Sequence, residues 1–245
     1  MRIRAVVFDV YGTLLQVGPP PPDAWQQWIE LFERAFQSPP RLQRLEFSVA
    51  CNRVIVRRHA SGKEQGIAFP EVQWPTVVAE VLPELAALDA PAREEFLYRL
   101  IQTGHTTRLA ADAAPTLRLL LERNCRLGIA SNAQAYTWRE LREALTGAGL
   151  DLAAFDPRLC FWSFEHGFSK PDPHVFRILS ARLEAGGIAP AETLMVGDLL
   201  DNDITPARAH GWRVWHLRNE PAEAVGGNWT RLRTWLDSAL RPPLS

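Results

Sequence analysis

The sequence predicts an α/β protein: a Rossmann-like parallel sheet of five strands with helices on both faces, and a helical region inserted into it. Three observations support this prediction. The chain begins with a short apolar run that ends in a polar turn, residues 23–104 show only helical periodicity, and the remainder alternates between strand and helix patterns. Alternation of this kind is typical of parallel sheets whose strands are connected by helices.

The first predicted strand covers residues 2–9, an apolar run rich in β-branched side chains. The sequence Tyr-Gly-Thr at 11–13 closes it, as expected where a buried strand ends in a turn. Gly18 and the prolines at 19–22 then interrupt the pattern. Because proline fits neither a helix interior nor a central strand, we expect a linker there.

Residues 23–104 carry apolar side chains at helical spacing, and proline and glycine divide them into several helices. The apolar positions of two faces are Trp25, Trp28, Ile29, Phe32 and Phe36, and Val77, Val78, Val81, Leu82 and Leu85. An aromatic stripe at this spacing usually packs in a core. We therefore expect Trp25, Trp28 and Trp74 to be packed inside the insertion.

Strand and helix patterns alternate after the insertion. The predicted strands lie at residues 126–131, 159–163, 193–197 and 213–217, and the predicted helices at about 114–124, 135–147, 172–185 and 203–210. With the first strand, these make a five-stranded parallel core of residues 1–16 and 106–245, into which a helical domain of residues 17–105 is inserted. The proline-rich stretch at 241–243 is expected to be a frayed tail.

Composition and charge argue against several classes of function. The 245 residues contain 27 Lys and Arg against 28 Asp and Glu, so no basic field attracts nucleic acid or an anionic membrane. No segment approaches the ~20 apolar residues of a membrane span. Three widely spaced cysteines without a C-x-x-C pair favour neither a disulfide framework nor a zinc site, and fit a reduced, cytoplasmic setting. We expect a monomer or homodimer that acts on a small molecule.

Polar residues stand at or just after the ends of the predicted strands, where parallel sheets bind their ligands. Asp9, Ser131 and Asp198 occupy such positions. A carboxylate held at a strand end by a glycine-containing turn is a good covalent nucleophile, which favours this role for Asp9. The Ser131 hydroxyl and the Asn132 backbone N–H can hold a phosphoryl or carboxylate oxygen. Thr13 is expected either to cap the turn or to contact a phosphate.

Four segments resemble the motifs of the haloacid dehalogenase superfamily. In chain order they are A-V-V-F-D-V-Y-G-T-L at 5–14, I-A-S-N at 129–132, K-P-D-P at 170–173 and V-G-D-L-L-D-N-D at 196–203. Their order and their places at strand ends make the resemblance specific, and the helical insertion resembles the cap domain of that superfamily. The resemblance implies a hydrolase in which Asp9 is the nucleophile and Lys170 compensates charge on the nucleophile and the transferred group.

The aspartates of the first and fourth motifs determine the charge of the expected site. If Asp9, Asp198 and Asp203 converge on the single ammonium of Lys170, the carboxylates repel one another unless one is protonated or a cation is present. Mg²⁺ suits such oxygen ligands. We expect Asp9, Asp198 and the carbonyl oxygen of Tyr11 to be its ligands. The resemblance places Asp203 where it orients Lys170 or a water without contacting the ion.

Tyr11 separates two activities within the superfamily. The usual phosphatase carries an aspartate at this position as general acid and base, whereas a phenol with an unperturbed pKa of about 10 donates a proton but is a poor base near neutrality. A tyrosine there is similar to the 2-haloacid dehalogenases, which work without a metal. Those enzymes, however, have a serine- and asparagine-rich fourth motif and a tyrosine at the place of Phe176. They also need an arginine to hold the substrate carboxylate and halide, and no motif in this sequence assigns that role to Arg41 or Arg44.

The acidic fourth motif outweighs the single tyrosine in this comparison. We expect a Mg²⁺-dependent phosphatase that acts on a small phosphorylated metabolite through an aspartyl phosphate at Asp9. Without a strong acid and base at position 11, it should work best on leaving groups that need little protonation, such as acyl or aryl phosphates. The alternatives are a metal-independent 2-haloacid dehalogenase, which forms an aspartyl ester, and a family member that binds a phosphorylated ligand without turnover.

Overall fold

The computed structural model describes residues 3–218 and 226–240 of the chain. Its strands are β1 (Ala5–Phe8), β2 (Leu15–Gly18), β3 (Thr106–Leu109), β4 (Arg126–Ser131), β5 (Phe155–Trp162), β6 (Thr193–Gly197), β7 (Arg213–Leu217) and β8 (Gly226–Gly227). Its α-helices are α1 (Ala24–Phe36), α2 (Arg44–Glu64), α3 (Trp74–Val81), α4 (Ala90–Gln102), α5 (Ala113–Glu122), α6 (Ala135–Gly147), α7 (Ser163–His166), α8 (Pro173–Ala185), α9 (Thr205–Ala209) and α10 (Trp229–Ala239). None of these helices is long and apolar enough to cross a membrane. The stretch at 241–243, predicted to be a frayed tail, lies outside the described residues.

One six-stranded sheet forms the centre of the fold, in the order β5-β4-β1-β6-β7-β8, with every neighbouring pair parallel. Alternate residues of β1 point to opposite faces. Val6 and Phe8 share an apolar core with α5, α6 and α10, whereas Ala5 and Val7 share a second core with α8 and α9. The prediction of a parallel sheet with helices on both faces is confirmed.

The sheet has six strands rather than the predicted five. The additional strand, β8, is two glycines long and pairs with β7 at the edge of the sheet. Glycine has a low strand propensity and no side chain to form an apolar pattern, so the sequence carries no signal for this strand. β4, β6 and β7 have the predicted bounds, but β5 begins at Phe155 rather than at residue 159, because the polar, proline-containing stretch 156–158 interrupts its apolar pattern.

The chain leaves the sheet and returns to it along a two-stranded antiparallel ribbon. β2 pairs with β3 from Leu15 opposite Leu109 to Gly18 opposite Thr106. The prediction that regular structure is interrupted at Gly18 is wrong, because Gly18 is the last residue of β2. The interruption begins with the prolines at 19–22. Each strand is four residues long and largely exposed, so neither shows the apolar run or alternation that reveals a strand in a sequence.

Helices α1 to α4 lie between β2 and β3 in the chain, and no strand occurs in residues 23–104, all of which the structure describes. These helices share an apolar core of their own. Its buried residues are Trp28, Phe32, Phe47, Cys51, Val54, Val77, Val78, Leu82, Leu85, Phe96, Leu97 and Leu100. Apolar side chains at helical spacing in this region are therefore buried against the other helices of the insertion.

The tryptophans of the insertion differ in their packing. Trp28 is buried and packs on Phe32 with ring centroids 5.0 Å apart, and Trp74 is partly buried against the same core. The prediction that Trp25 also packs in this core is wrong, since its side chain is 51% exposed. α1 buries the i, i+4 stripe of Ala24, Trp28 and Phe32, and position 25 lies one residue away from that stripe.

Candidate active site

The carboxyl ends of β1, β4 and β6 meet at one edge of the sheet. Asp9 directly follows β1, Ser131 ends β4, and Asp198 directly follows β6. The Asp9 N–H donates to the Val196 carbonyl at 3.0 Å, which continues the pairing of β1 with β6 beyond the last strand residue. The parallel sheet thus brings together polar residues that are far apart in the sequence.

Lys170 reaches this edge from the loop before α8. Its ammonium donates to Asp9 Oδ1 at 2.7 Å and to Asp203 Oδ1 at 2.5 Å, and all three side chains are almost wholly buried. Asp172 caps α8 by accepting a hydrogen bond from the His174 N–H at 2.9 Å. The structure therefore brings together Asp9, Lys170 and Asp203, which belong to the first, third and fourth motifs.

Asn132 holds the backbone of Lys170 at both ends of the residue. Its Oδ1 accepts from the Lys170 N–H at 2.7 Å, and its Nδ2 donates to the Lys170 carbonyl at 2.9 Å. This two-point contact fixes the loop that carries the ammonium. The sequence predicts that the Asn132 backbone N–H holds a substrate oxygen, and it gives no sign of the side chain's contact because Lys170 is 38 positions away.

Asp198 lies beside the turn that follows β1. The Thr13 hydroxyl, expected to cap the turn or contact a phosphate, donates to Asp198 Oδ1 at 3.4 Å. His216 Nε2 lies 2.9 Å from the Asp198 carbonyl oxygen, a contact that the sequence did not suggest. Gly12 has a φ of +78°, and a Cβ at Gly12 would overlap the Asp198 carboxylate. Only glycine allows the turn and the carboxylate to lie so close together.

Asp203 uses both carboxylate oxygens within the protein. Oδ1 accepts from Lys170, and Oδ2 accepts from the Leu199 N–H at 3.1 Å. A Cβ at Gly197 would overlap this carboxylate, so glycine is required there as well. With both oxygens engaged, Asp203 is better placed to orient Lys170 than to bind an ion directly.

Three carboxylates share one ammonium at this edge of the sheet. One oxygen from each of Asp9, Asp198 and Asp203 lies within 4.8 Å of the others. Burial raises the pKa of the Asp9 carboxyl to about 7, with a further contribution from the charges of Asp203 and Asp198 and opposition from Lys170. Burial and the charge of Asp203 also raise the pKa of Asp198. Burial alone would lower the pKa of the Lys170 ammonium, but Asp9 and Asp203 outweigh it and raise that pKa.

This arrangement of charges fits a divalent cation. When all three carboxylates are ionised, their charge exceeds that of the single Lys170 ammonium by two, and carboxylates this close together raise one another's pKa. Carboxylate and carbonyl oxygens are the ligands that Mg²⁺ takes in proteins. The residues present therefore suit Mg²⁺, and Asp9 and Asp198 offer carboxylate oxygens that could hold it.

The Ser131 hydroxyl is wholly buried at the end of β4 and has no hydrogen-bond partner among the described residues. A buried hydroxyl without a partner has lost its bonds to water and gained none, and such groups are uncommon in folded proteins. Ser163, just after β5, differs, because its hydroxyl contacts both Glu71 and Ala133. An anionic oxygen bound at the sheet edge would supply the acceptor that Ser131 lacks.

The Tyr11 hydroxyl is engaged by α6. It donates to Glu140 Oε2 at 2.5 Å and lies 2.9 Å from Thr137 Oγ1. Burial, followed by the charge of Glu140, raises the pKa of the phenol well above its usual value. Sequence reasoning missed Glu140, because a single acidic residue in an amphipathic helix gives no sign that its side chain is buried. The expectation that position 11 offers no strong acid and base stays a prediction.

The residues considered for a dehalogenase are engaged in other contacts. Arg41 pairs with Glu84 at 2.7 Å, and Arg44 donates to the Thr103 carbonyl at 2.7 Å. Phe176 is fully buried in the core shared by α8 and α9. Both arginines are thus bound by groups of the insertion, and position 176 serves packing.

The chain is similar to a known protein family and, over part of its length, to a phosphatase. A family model described as haloacid dehalogenase-like hydrolase matches residues 3–211. A phosphoserine phosphatase of Thermus thermophilus is 46% identical over 87 residues, which make up 34% of this chain and 32% of that relative. The match therefore spans about a third of the length of the phosphatase.

Solved structures similar to this chain include both a phosphatase and a dehalogenase. A HAD phosphatase from Thermococcus onnurineus has a TM-score of 0.56 at 23% identity, with 96% of this chain and 98% of that chain covered. A 2-haloacid dehalogenase from Pseudomonas syringae pv. tomato has a TM-score of 0.60 at 19% identity, with 96% and 99% covered. At these identities the similarity shows a shared fold, and it does not distinguish between the two activities.

Proposed function

This chain belongs to the haloacid dehalogenase-like hydrolase family, and within that family we propose that it is a Mg²⁺-dependent phosphatase. It acts on a small phosphorylated metabolite and forms an aspartyl phosphate at Asp9. The observation that carries the proposal is the convergence of Asp9, Asp198 and Asp203 on the single buried ammonium of Lys170. Without a cation, only protonation of a carboxylate relieves this excess of negative charge, and a protonated Asp9 is a poor nucleophile.

Asp9, Asp198 and the carbonyl oxygen of Tyr11 would hold the ion. Asp203 already accepts two hydrogen bonds from the protein, which supports its role in orienting Lys170. When bound, Mg²⁺ balances the excess carboxylate charge and the charge that develops on the transferred phosphoryl group. Because burial raises the pKa of Asp9 to about 7, a nearby cation also favours the ionised form that a nucleophile requires.

The chemistry of this chain's own residues follows from their positions. A carboxylate oxygen of Asp9 attacks phosphorus, the bond from phosphorus to the leaving oxygen breaks, and the leaving group departs with that electron pair. Water then hydrolyses the aspartyl phosphate, which releases phosphate and restores Asp9. The Ser131 hydroxyl and the Asn132 N–H hold phosphoryl oxygens during both steps, and Lys170 offsets their charge.

The helical insertion, residues 17–105, acts as a cap over the core formed by residues 1–16 and 106–245. Its separate apolar core supports this division, as does its attachment through the paired strands β2 and β3. A cap of this kind excludes water from the reacting groups and contacts the part of the substrate that distinguishes one metabolite from another.

Tyr11 supports a second candidate, a metal-independent 2-haloacid dehalogenase, because that position resembles those enzymes. The contacts of Arg41 and Arg44 within the insertion weigh against it. One assay separates the candidates: release of phosphate from an aryl phosphate and of halide from a 2-haloacid, each with Mg²⁺, with a chelator, and with Asp9→Asn.

The proposal requires phosphate release that depends on Mg²⁺ and on Asp9. Halide release that a chelator does not affect would assign the dehalogenase activity instead. Saturable binding of a phosphorylated compound with no product from either substrate class would leave only a binding function, and would equally overturn the phosphatase.

A further inference from the structure

A buried carboxylate lies next to the nucleophile turn, outside the acidic cluster. Glu140 is in α6, and its side chain has no solvent exposure. Placing a carboxylate in such surroundings is costly unless hydrogen-bond donors replace the water that it loses. The hydrogen-bond donors around Glu140 therefore indicate the role of this buried carboxylate.

Three donors from two parts of the chain surround this carboxylate. Tyr11 donates its hydroxyl to Oε2 at 2.5 Å, Gln102 donates Nε2 to Oε1 at 2.7 Å, and His105 Nε2 lies 2.9 Å from Oε1. Tyr11 stands two residues after the nucleophile Asp9. Gln102 ends α4, and His105 directly precedes β3, so both belong to the segment in which the chain returns from the insertion.

The neighbours of Tyr11 show why its position matters. Gly12 and Thr13 follow it and lie against Asp198, and Asp9 precedes it by two residues. A shift of the Tyr11 ring therefore moves the turn between the two aspartates. Displacements of this size are enough to slow a reaction whose groups must be aligned.

We propose that Glu140 is a positioning residue for the reaction at Asp9, an inference that rests on the phosphatase function proposed above. By accepting the Tyr11 hydroxyl, Glu140 holds the turn that carries Asp9 and the Tyr11 carbonyl. By accepting from Gln102 and His105, it fixes the same turn relative to the end of the insertion. The Tyr11 proton is committed to Glu140, so the hydroxyl serves this alignment and does not protonate the leaving group.

The chain contains a matched control for this contact. Tyr98 in α4 donates its hydroxyl to Glu143 Oε2 at 2.6 Å, and Glu143 lies three residues after Glu140 in α6. This second Tyr–Glu pair also joins the insertion to α6, yet it includes no residue of the nucleophile turn. Variants of the two pairs therefore separate alignment of the turn from general attachment of the insertion.

The kinetic experiment compares Glu140→Gln, Tyr11→Phe and their combination with Tyr98→Phe and Glu143→Gln in the full chain, using aryl phosphates with Mg²⁺. Loss of alignment lowers kcat about tenfold to a hundredfold in Glu140→Gln and in Tyr11→Phe, with little change in KM. The double variant is no slower than either single variant, because both remove the same contact. Tyr98→Phe and Glu143→Gln retain the wild-type kcat.

Two kinetic results overturn the inference. One is a wild-type kcat in Glu140→Gln together with an unchanged unfolding temperature. The other is a loss in Tyr11→Phe that grows as the leaving group becomes more basic, since that dependence identifies the Tyr11 hydroxyl as the proton donor. An equal loss for all leaving groups supports positioning.

Hydrogen exchange separates failure of this inference from failure of the phosphatase function. In the turn, the Gly12 N–H donates to the Leu15 carbonyl, and the Thr13 and Leu15 N–H groups donate to the Val10 carbonyl. Glu140→Gln speeds exchange of these amides about tenfold relative to wild type, and Glu143→Gln does not. If no phosphate is released by the wild type but this difference appears, the phosphatase function fails and the positioning role stands. Equal exchange in Glu140→Gln and wild type overturns the positioning role whatever the activity.

Discussion

The Lys170 ammonium and the Asp9 carboxylate form an ion pair 2.7 Å long that is almost closed to solvent. Lys170 also pairs with Asp203, so one positive charge serves two buried carboxylates while Asp198 stands nearby. Buried ion pairs stabilise a fold weakly when their charges are not fully compensated. The stability of the metal-free protein should therefore respond to pH at this site.

Without a divalent cation, the protein should become less stable between about pH 4 and about pH 7. The Asp9 pKa is near 4 in the unfolded chain and about 7 in the folded one, so the stability from this group is present below the lower value and is lost as the pH rises through the upper one. Chemical unfolding in a chelator measures this loss at about pH 5.0, which lies inside this window, and at about pH 7.5, which lies about half a unit above it.

Added Mg²⁺ should raise the unfolding free energy more at the higher pH, because it binds the ionised carboxylates. Asp9→Asn is the control, since it should show a smaller decline than wild type in the chelator. A wild-type decline no larger than that of Asp9→Asn would contradict the assignment of the shift to Asp9.

Hydrolysis rates should fall steeply as the leaving group becomes more basic. The Tyr11 hydroxyl is bound to Glu140, so no strong acid is available at position 11 to protonate the departing oxygen. A series of aryl phosphates with leaving groups of increasing pKa measures this dependence at saturating Mg²⁺. Rates independent of the leaving-group pKa would mean that another group donates the proton.

Ser131→Ala should reduce activity without reducing stability. The hydroxyl has no partner among the described residues, so its removal relieves an unsatisfied group, whereas loss of one donor to a developing oxyanion slows catalysis about a hundredfold. Ser163→Ala is the matched control. Because the Ser163 hydroxyl is hydrogen-bonded, its removal should lower the free energy of unfolding by about 1–3 kcal/mol. Thermal unfolding and kcat are measured on both variants, and a large destabilisation by Ser131→Ala would show that the hydroxyl has a structural partner.

Gly12→Ala should abolish most of the activity, whereas Gly66→Ala should not. Both glycines have positive φ, at +78° and +88°, so both substitutions carry a backbone cost of about 1 kcal/mol. Only at Gly12 does the new Cβ meet the Asp198 carboxylate, while nothing lies within 4 Å at Gly66. Calorimetric Mg²⁺ binding and phosphate release are compared in the two variants. Equal effects on Mg²⁺ binding would show that backbone strain, and not contact with Asp198, is responsible.

The central strands β1, β4 and β6 were predictable because they are buried on both faces and appear as continuous apolar runs. The same regularity made the convergence of Asp9, Ser131 and Asp198 predictable, since parallel strands end at one edge. Lys170 and Asp203 were found through motif resemblance, and the structure adds their distances and burial. The packing of Trp25 was mispredicted because helical spacing alone does not show which of two adjacent positions faces the core.

Contacts between distant polar side chains were not predictable. Asn132 follows β4, so its position could be predicted. Its hydrogen bonds to the Lys170 backbone could not, because they depend on how a loop 38 residues later approaches it. Glu140 and His105 meet only because the insertion returns beside α6, and neither has a local pattern that marks it. The ribbon of β2 and β3 was missed for a related reason, because its two strands pair although they are far apart in the sequence.

The pairing of Gly18 with Thr106 has a consequence for how such a protein diversifies. The segment between them starts and finishes about 5 Å apart, the spacing of neighbouring strands. A segment with adjoining ends can be lengthened, shortened or exchanged over evolutionary time while the surrounding framework keeps its shape. Related proteins can therefore evolve different substrate preferences through this segment while they keep the same residues at the edge of the sheet.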